Sequence, residues 1–281
     1  MTLRALGAVG LSWVLAFGCA APSEAPVPET AEAPRLQMER QLSSRSIGPD
    51  GEPCADGDTA CASARLVYPE VVRAPRPELA ATINRKIREL LLTAAPSDTD
   101  PATPEQLIEE FLAEYQEIQR QFPDSAMGWG DDREVEVIFQ SGHLLSLRAT
   151  VYTYAGGAHP NTAVAVATLE LTDGEQLTRE KILLPGAEPR LVALAERRFR
   201  EARGLTPDES LADAGFVFSD SGEFALNENF AIVDGGIVFH YDPYEIAPYA
   251  LGPTELLLGW EELRGIVQPS LAPRPGARRK T

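Results

Sequence analysis

The fifteen residues from Phe239 to Pro253, Phe-His-Tyr-Asp-Pro-Tyr-Glu-Ile-Ala-Pro-Tyr-Ala-Leu-Gly-Pro, restrict this chain more than any other stretch. Three tyrosines and three prolines share the segment. Its start reads as a strand, but Pro243 and Pro248 have no N–H for a sheet ladder, so the strand must end and the chain must turn with a fixed shape. Two readings stay open. In one, the segment wraps a corner and the tyrosine rings pack on the core while each hydroxyl finds a partner. In the other, its aromatic and polar groups line a ligand site.

A second unusual connection, Ala155-Gly156-Gly157-Ala158-His159-Pro160-Asn161, lies between two strand-like runs. If both connections meet at one end of a sheet, Tyr154, Gly156, Gly157, His159, His240, Tyr244, Glu245 and Tyr249 form a polar aromatic pocket. His143, His159 and His240 are the only histidines, and none has the close spacing of a zinc motif, so no metal or cofactor is expected. No Gly-x-Ser-x-Gly elbow is present. Glu261-Glu262 and Asp131-Asp132 read as solvated acid pairs. No catalytic residue is assigned.

The N-terminus has the layout of an export signal. Arg4 supplies a positive charge, and Leu6 to Phe17 form an apolar run too short to span a bilayer as a stable helix. Leu15-Ala16-Phe17-Gly18-Cys19 resembles a bacterial lipobox, in which the cysteine thiol is lipidated. It departs from the usual pattern at Ala16 and Phe17, and an ordinary cleaved signal peptide is the alternative. The resemblance implies a lipid anchor on Cys19, with Ala20 to Pro34 as an extended Ala/Pro/Glu tether. The absence of Asp after Cys19 implies the outer membrane of a bacterial envelope, with the protein facing the periplasm.

The formal charge of −17 argues against nucleic acid and favours a soluble surface or a basic partner. Export then bears on the remaining cysteines. Cys54 and Cys61 are expected to pair as a disulfide in an oxidising compartment; a metal site lacks a second ligand pair nearby, and a redox pair is more often C-x-x-C.

Between these landmarks the apolar period alternates between two and 3.6. Arg65 to Val72 reads as a strand, demoted to an edge or shortened by Tyr68-Pro69. Ile83, Ile87, Leu90 and Leu91 mark one amphipathic helix. Thr103-Pro104-Glu105-Gln106 opens a second, whose apolar face runs from Leu107 to Phe122. From Arg133, three strands in succession make a meander. Helical spacing returns over Arg190 to Arg203, and a further short helix is expected over Leu205 to Gly215. Phe224 to Val233 and Gly236 to Tyr241 flank Asp234-Gly235 as a hairpin, and Thr254 to Leu258 closes the set.

Two resemblances fit this order of elements. Tyr68-Pro69-Glu70-Val71 with Leu79-Ala80-Ala81-Thr82-Ile83-Asn84-Arg85-Lys86-Ile87 resembles the N-terminal domain that precedes PdaC-type peptidoglycan deacetylases. Tyr154 to Asn161, together with Tyr244-Glu245-Ile246-Ala247-Pro248-Tyr249-Ala250-Leu251-Gly252, resembles the C-terminal domain of the RsiV anti-sigma factor family, whose ectodomain binds lysozyme. The expected fold is α+β, an antiparallel sheet meander with helices packed on one face, in two subdomains. The expected boundaries are a lipoprotein signal peptide (1–18), a tether (19–52), a PdaC-like subdomain (53–130), an RsiV-like subdomain (131–268) and a disordered tail (269–281). The function this implies is a lipid-anchored binding or sensor-type ectodomain for a lysozyme-like protein or for peptidoglycan. The alternative is a glycan-modifying enzyme of the deacetylase kind that uses the Tyr/His pocket.

Overall fold

The computed structural model describes residues 36–55, 59–93, 102–123, 127–219 and 222–272; Cys19, the leader and the first part of the expected tether lie outside them. The chain is α+β, with its described strands in two sheets. The first sheet has the order β1 (Gln37–Ile47), β2 (Ala62–Arg73), β3 (Trp129–Gln140), β4 (Leu144–Tyr154) and β5 (Asn161–Glu170). β3, β4 and β5 form the expected antiparallel meander, and β1 pairs antiparallel with β2. β2 and β3 run parallel, which requires a crossover, and α1 (Pro77–Leu92) and α2 (Pro104–Gln121) supply it.

Both crossover helices follow from local sequence. Pro77 opens α1 where an N–H is dispensable, and Leu79, Ile83, Ile87, Leu90 and Leu91 bury its apolar stripe. Each such side chain contributes roughly 1.5–3 kcal/mol on burial. At the N-terminus of α2 the Thr103 hydroxyl accepts from the Gln106 N–H at 3.2 Å, and the Gln106 side chain accepts from the Ala102 N–H at 3.0 Å. The α2 stripe ends earlier than its sequence suggests, because Phe122 caps the helix and stays exposed. Pro69 sits inside β2, yet β2 pairs with β3 only from Ala62 to Val67. Beyond Val67 the strand therefore needs no donor on that side. Asn84 of α1 takes over there: its side chain accepts from the Val71 N–H at 2.8 Å and donates to the Val71 carbonyl at 3.0 Å.

The second sheet, β6 (Phe230–Val233), β7 (Gly236–Tyr241) and β8 (Thr254–Gly259), follows two further helices, α3 (Arg179–Ile182) and α4 (Glu188–Arg203). Leu191, Leu194 and Phe199 of α4 pack with Phe224, Phe239 and Tyr241 in the core on one face of that sheet. Asp234 and Gly235 make the hairpin turn without positive φ; the glycine that the turn cannot replace is Gly236, where a Cβ would lie 1.9 Å from the Leu258 carbonyl oxygen.

On its other face the second sheet meets the first. Val166, Ala231 and Val238 pack there, and the Thr168 hydroxyl accepts from the Ile232 N–H at 2.8 Å while Ser146 donates to the Ile232 carbonyl at 2.6 Å. The outer edge of β5 is closed by side chains. Asn229 accepts from the Val166 N–H at 2.8 Å and donates to the Val164 carbonyl at 2.7 Å, and Asp242 accepts from the Val164 N–H at 2.8 Å.

Several boundaries differ from those read in the sequence. Residues 37–47 of the expected tether pair as β1, because Met38 and Ile47 find apolar cover against the first core. A division at residue 130 would cut β3, so the first sheet runs on to Glu170. Residues 205–215 form turns rather than a helix, and β6 begins only at Phe230. Of the expected tail, Pro269–Leu271 forms a 3-10 turn that buries Leu271 in the second core; residues 273–281 lie outside the described residues. The Cys54–Cys61 disulfide is formed. Asp131 is not solvated: it is 1% exposed and receives the Arg133 Nε on both carboxylate oxygens at 3.0 Å, while Arg133 Nη1 donates to the Leu91 and Thr93 carbonyls at the end of α1. Burial pushes the Asp131 carboxyl above its ordinary range, and Arg133 pulls it partway back.

Candidate functional site

The two unusual connections meet. The β4–β5 connection carries His159, and the segment after β7 carries Tyr244 and Tyr249, which the sheet contact brings alongside it. The His159 ring stacks on Tyr249 with centroids 4.0 Å apart and planes 20° apart, and its Nε2 lies 3.3 Å from the Tyr244 hydroxyl. Tyr244 and Tyr249 stand 5.6 Å apart. The Tyr249 hydroxyl donates to the Pro160 carbonyl at 3.3 Å, which ties the stack to the start of β5.

Tyr244 is the unusual member. It is 61% exposed, and it is the only non-glycine residue with positive φ, 70°, among the described residues. An L-residue in that region costs roughly 1–2 kcal/mol, so the surrounding turn must hold it there. Pro243 fixes the approach, the Tyr244 N–H donates to the Ala247 carbonyl at 3.1 Å, and the Glu245 N–H to the Asp242 carbonyl at 3.1 Å. Glu245 closes the turn with both oxygens, accepting from the Asp242 N–H at 2.9 Å and from Asn227 at 2.8 Å. Its role is to shape the loop.

The structure therefore separates the candidate residues. His159, Tyr244 and Tyr249 make a stacked, solvent-facing platform rather than an enclosed pocket. Tyr154 donates to the Gly157 carbonyl at 3.2 Å and to the Met127 sulfur at 2.9 Å, which sets the shape of the glycine turn. Gly156 and Gly157 have φ of 86° and 101°, the reason that turn takes glycine. His240 is 4% exposed, with Nε2 3.1 Å from Asp242 and Nδ1 3.8 Å from Glu255. It is buried, unlike the exposed His159 and Tyr244. His143 is remote, at the other end of β4.

Two exposed apolar residues lie on neighbouring loops. Val217 is 59% exposed and Leu251 41%. The Val217 N–H donates to the Ile246 carbonyl at 2.8 Å, and a Cβ on Gly215 would lie 3.7 Å from Leu251 Cδ1, so these loops are neighbours. Arg203 at the end of α4 donates to the Leu251 and Pro253 carbonyls at 3.2 and 3.1 Å and anchors the segment from below. Only Arg203 gave a local signal, as the cation in the last turn of its helix. A surface depression of about 360 Å³ lies elsewhere, beside Arg198, Glu201, Leu256 and Leu257.

Two separate stretches of this α+β chain match family models. Residues 56–162 match the family model described as "Deacetylase PdaC", and residues 180–261 match that described as "Protein of unknown function (DUF3298)". A DUF3298-family protein from Bacteroides fragilis superposes with a TM-score of 0.67 at 19% identity, over 85% of this chain and 97% of that one. One from Pseudomonas aeruginosa gives 0.62 at 23% identity, over 85% and 98%. Both likenesses show the fold. Among curated proteins, the immunogenic proteins MPB64 of Mycobacterium bovis and MPT64 of Mycobacterium tuberculosis are 26% identical over 119 residues. That alignment covers 38% of this chain and 45% of each relative, so the chain spans less than half the length of the relatives it matches.

Proposed function

We propose that this chain is a binding protein of the bacterial cell envelope, held by lipid on Cys19, whose aromatic platform takes a basic protein partner of the lysozyme kind. The observation that carries the reading is Tyr244. A large aromatic side chain is held exposed on a strained backbone, stacked beside two further rings. Strain kept at an exposed aromatic serves contact rather than stability. Tyrosine is also the residue type most suited to a recognition hot spot, since it carries much contact area at low entropic cost.

The charge of −17 supplies the complementary half of the reading, because it steers a cationic protein toward the surface and makes association salt-sensitive. The resemblance of the platform segments to the RsiV-type domain supports the same partner class. A second reading, a wall glycan stacked on the platform rings, draws support from the PdaC-type match over residues 56–162.

The test is retention of hen lysozyme, and separately of purified peptidoglycan, on the immobilised chain at about 20 and 300 mM salt, with screening lengths of roughly 20 and 6 Å. Salt-sensitive retention of lysozyme supports the protein partner. Retention of peptidoglycan alone moves the assignment to the glycan. Absence of both removes the proposal.

A further inference from the structure

β1 forms one edge of the five-stranded sheet, and its side away from β2 has no partner strand among the described residues. It is eleven residues long and contains no proline, so one row of N–H and C=O groups faces outward. Such edges are usually blunted by charge. Here the charges are arranged so that they suit a second copy of the same strand.

The pattern is symmetric about Leu42. In an antiparallel pairing of β1 with its own copy centred there, Leu42 faces Leu42, Arg40 faces Ser44, and Glu39 faces Arg45 on both sides of the axis. Neither Glu39 nor Arg45 makes an ion pair among the described residues, and both are exposed. Leu42 is 56% exposed, a large apolar side chain in the middle of the strand between Gln41 and Ser43. Facing residues on paired strands have Cβ atoms about 4.5–5.5 Å apart, within reach of leucine contact and of an acid–base pair. Charge that would repel most strands therefore matches this one twice.

We propose that β1 is a homodimer interface: two chains pair antiparallel through Gln37–Ile47 about a two-fold axis at Leu42, continuing the sheet from one copy into the other. The arrangement is isologous, since each copy offers the same edge, and it closes as a dimer because each sheet has only one β1. The aromatic platform belongs to loops next to β5, at the opposite edge of the sheet, so pairing at β1 leaves it open. Two platforms on one dimer would bind a multivalent surface by avidity, a consequence that rests on the function proposed above; the pairing itself does not.

The test uses the full chain in mild detergent, with mass read by analytical ultracentrifugation and register by cysteine cross-linking. Under copper-phenanthroline oxidation Leu42→Cys alone should give a disulfide-linked dimer. Arg40→Cys and Ser44→Cys should each give little alone and a dimer when mixed. Glu39→Arg and Arg45→Glu should each weaken self-association at least tenfold, and the double exchange should restore it, which excludes misfolding as the cause. A wild-type chain that stays monomeric up to about 100 µM, or cross-links with no preference for this register, overturns the proposal. Loss of lysozyme or peptidoglycan binding with the dimer intact would count only against the platform.

Discussion

Replacing Arg133 with Ala should be among the most damaging single changes in the first sheet. The side chain is fully buried, holds both oxygens of the equally buried Asp131, and donates to two carbonyls at the end of α1. Removing it leaves a buried carboxylate without its cation, which costs about 3–5 kcal/mol. For a domain of this size each kcal/mol lowers the melting temperature by about 2–4 °C, so the fall should be roughly 6–20 °C. Urea unfolding followed by circular dichroism measures the first number, and a thermal scan the second. The pH dependence has a defined sign. A carboxyl whose folded pKa is raised binds its proton more tightly in the folded state, so its contribution to stability grows as pH falls through the folded value. With Arg133 gone burial acts unopposed, and the deficit of the variant should shrink at acidic pH. The double change Arg133→Met with Asp131→Leu should recover much of the loss. A cost below 1 kcal/mol for Arg133→Ala, or a deficit that widens on acidification, would refute this reasoning.

Three further outcomes are expected. Cys54→Ser with Cys61→Ser should lower stability by roughly 2.5 kcal/mol from loop-closure entropy, read by urea unfolding, and the native cysteines should resist thiol reagents in the unfolded, unreduced chain. Asn229→Ala uncovers the Val164 carbonyl and the Val166 N–H at the seam between the sheets; it should cost about 2–4 kcal/mol and speed hydrogen exchange at Val166. Tyr244→Gly relieves the positive φ and should unfold no more readily than the unchanged protein, whereas Tyr244→Val should be less stable.

Period and punctuation made much of this architecture legible. The helix faces at Ile83, Ile87, Leu90 and Leu91, the Thr103 cap and the β3–β5 meander are all local, and they stand where the sequence indicates. What was hidden is non-local. β1 reads as tether because its residues are mostly polar, and only pairing with β2 makes it a strand. Asp131 reads as solvated because no local rule places Arg133 between it and the end of α1. Expected strand before Phe230 gives way to loop because Asn227 and Asn229 spend their amides on the backbone of β7 and β5. For the site, the sequence indicated both connections and their aromatic members. It merged His240 with them because adjacent positions on a strand point to opposite faces, and which face meets solvent depends on how the two sheets stack.

The most direct test of the account is the affinity of Tyr244→Ala for lysozyme beside that of the unchanged chain, by calorimetry at low salt, with unfolding curves for both. The account predicts that stability changes by less than about 1 kcal/mol, since Tyr244 is mostly exposed, while affinity falls at least tenfold, the loss of a hot-spot aromatic. Unchanged affinity with a stable fold would contradict it.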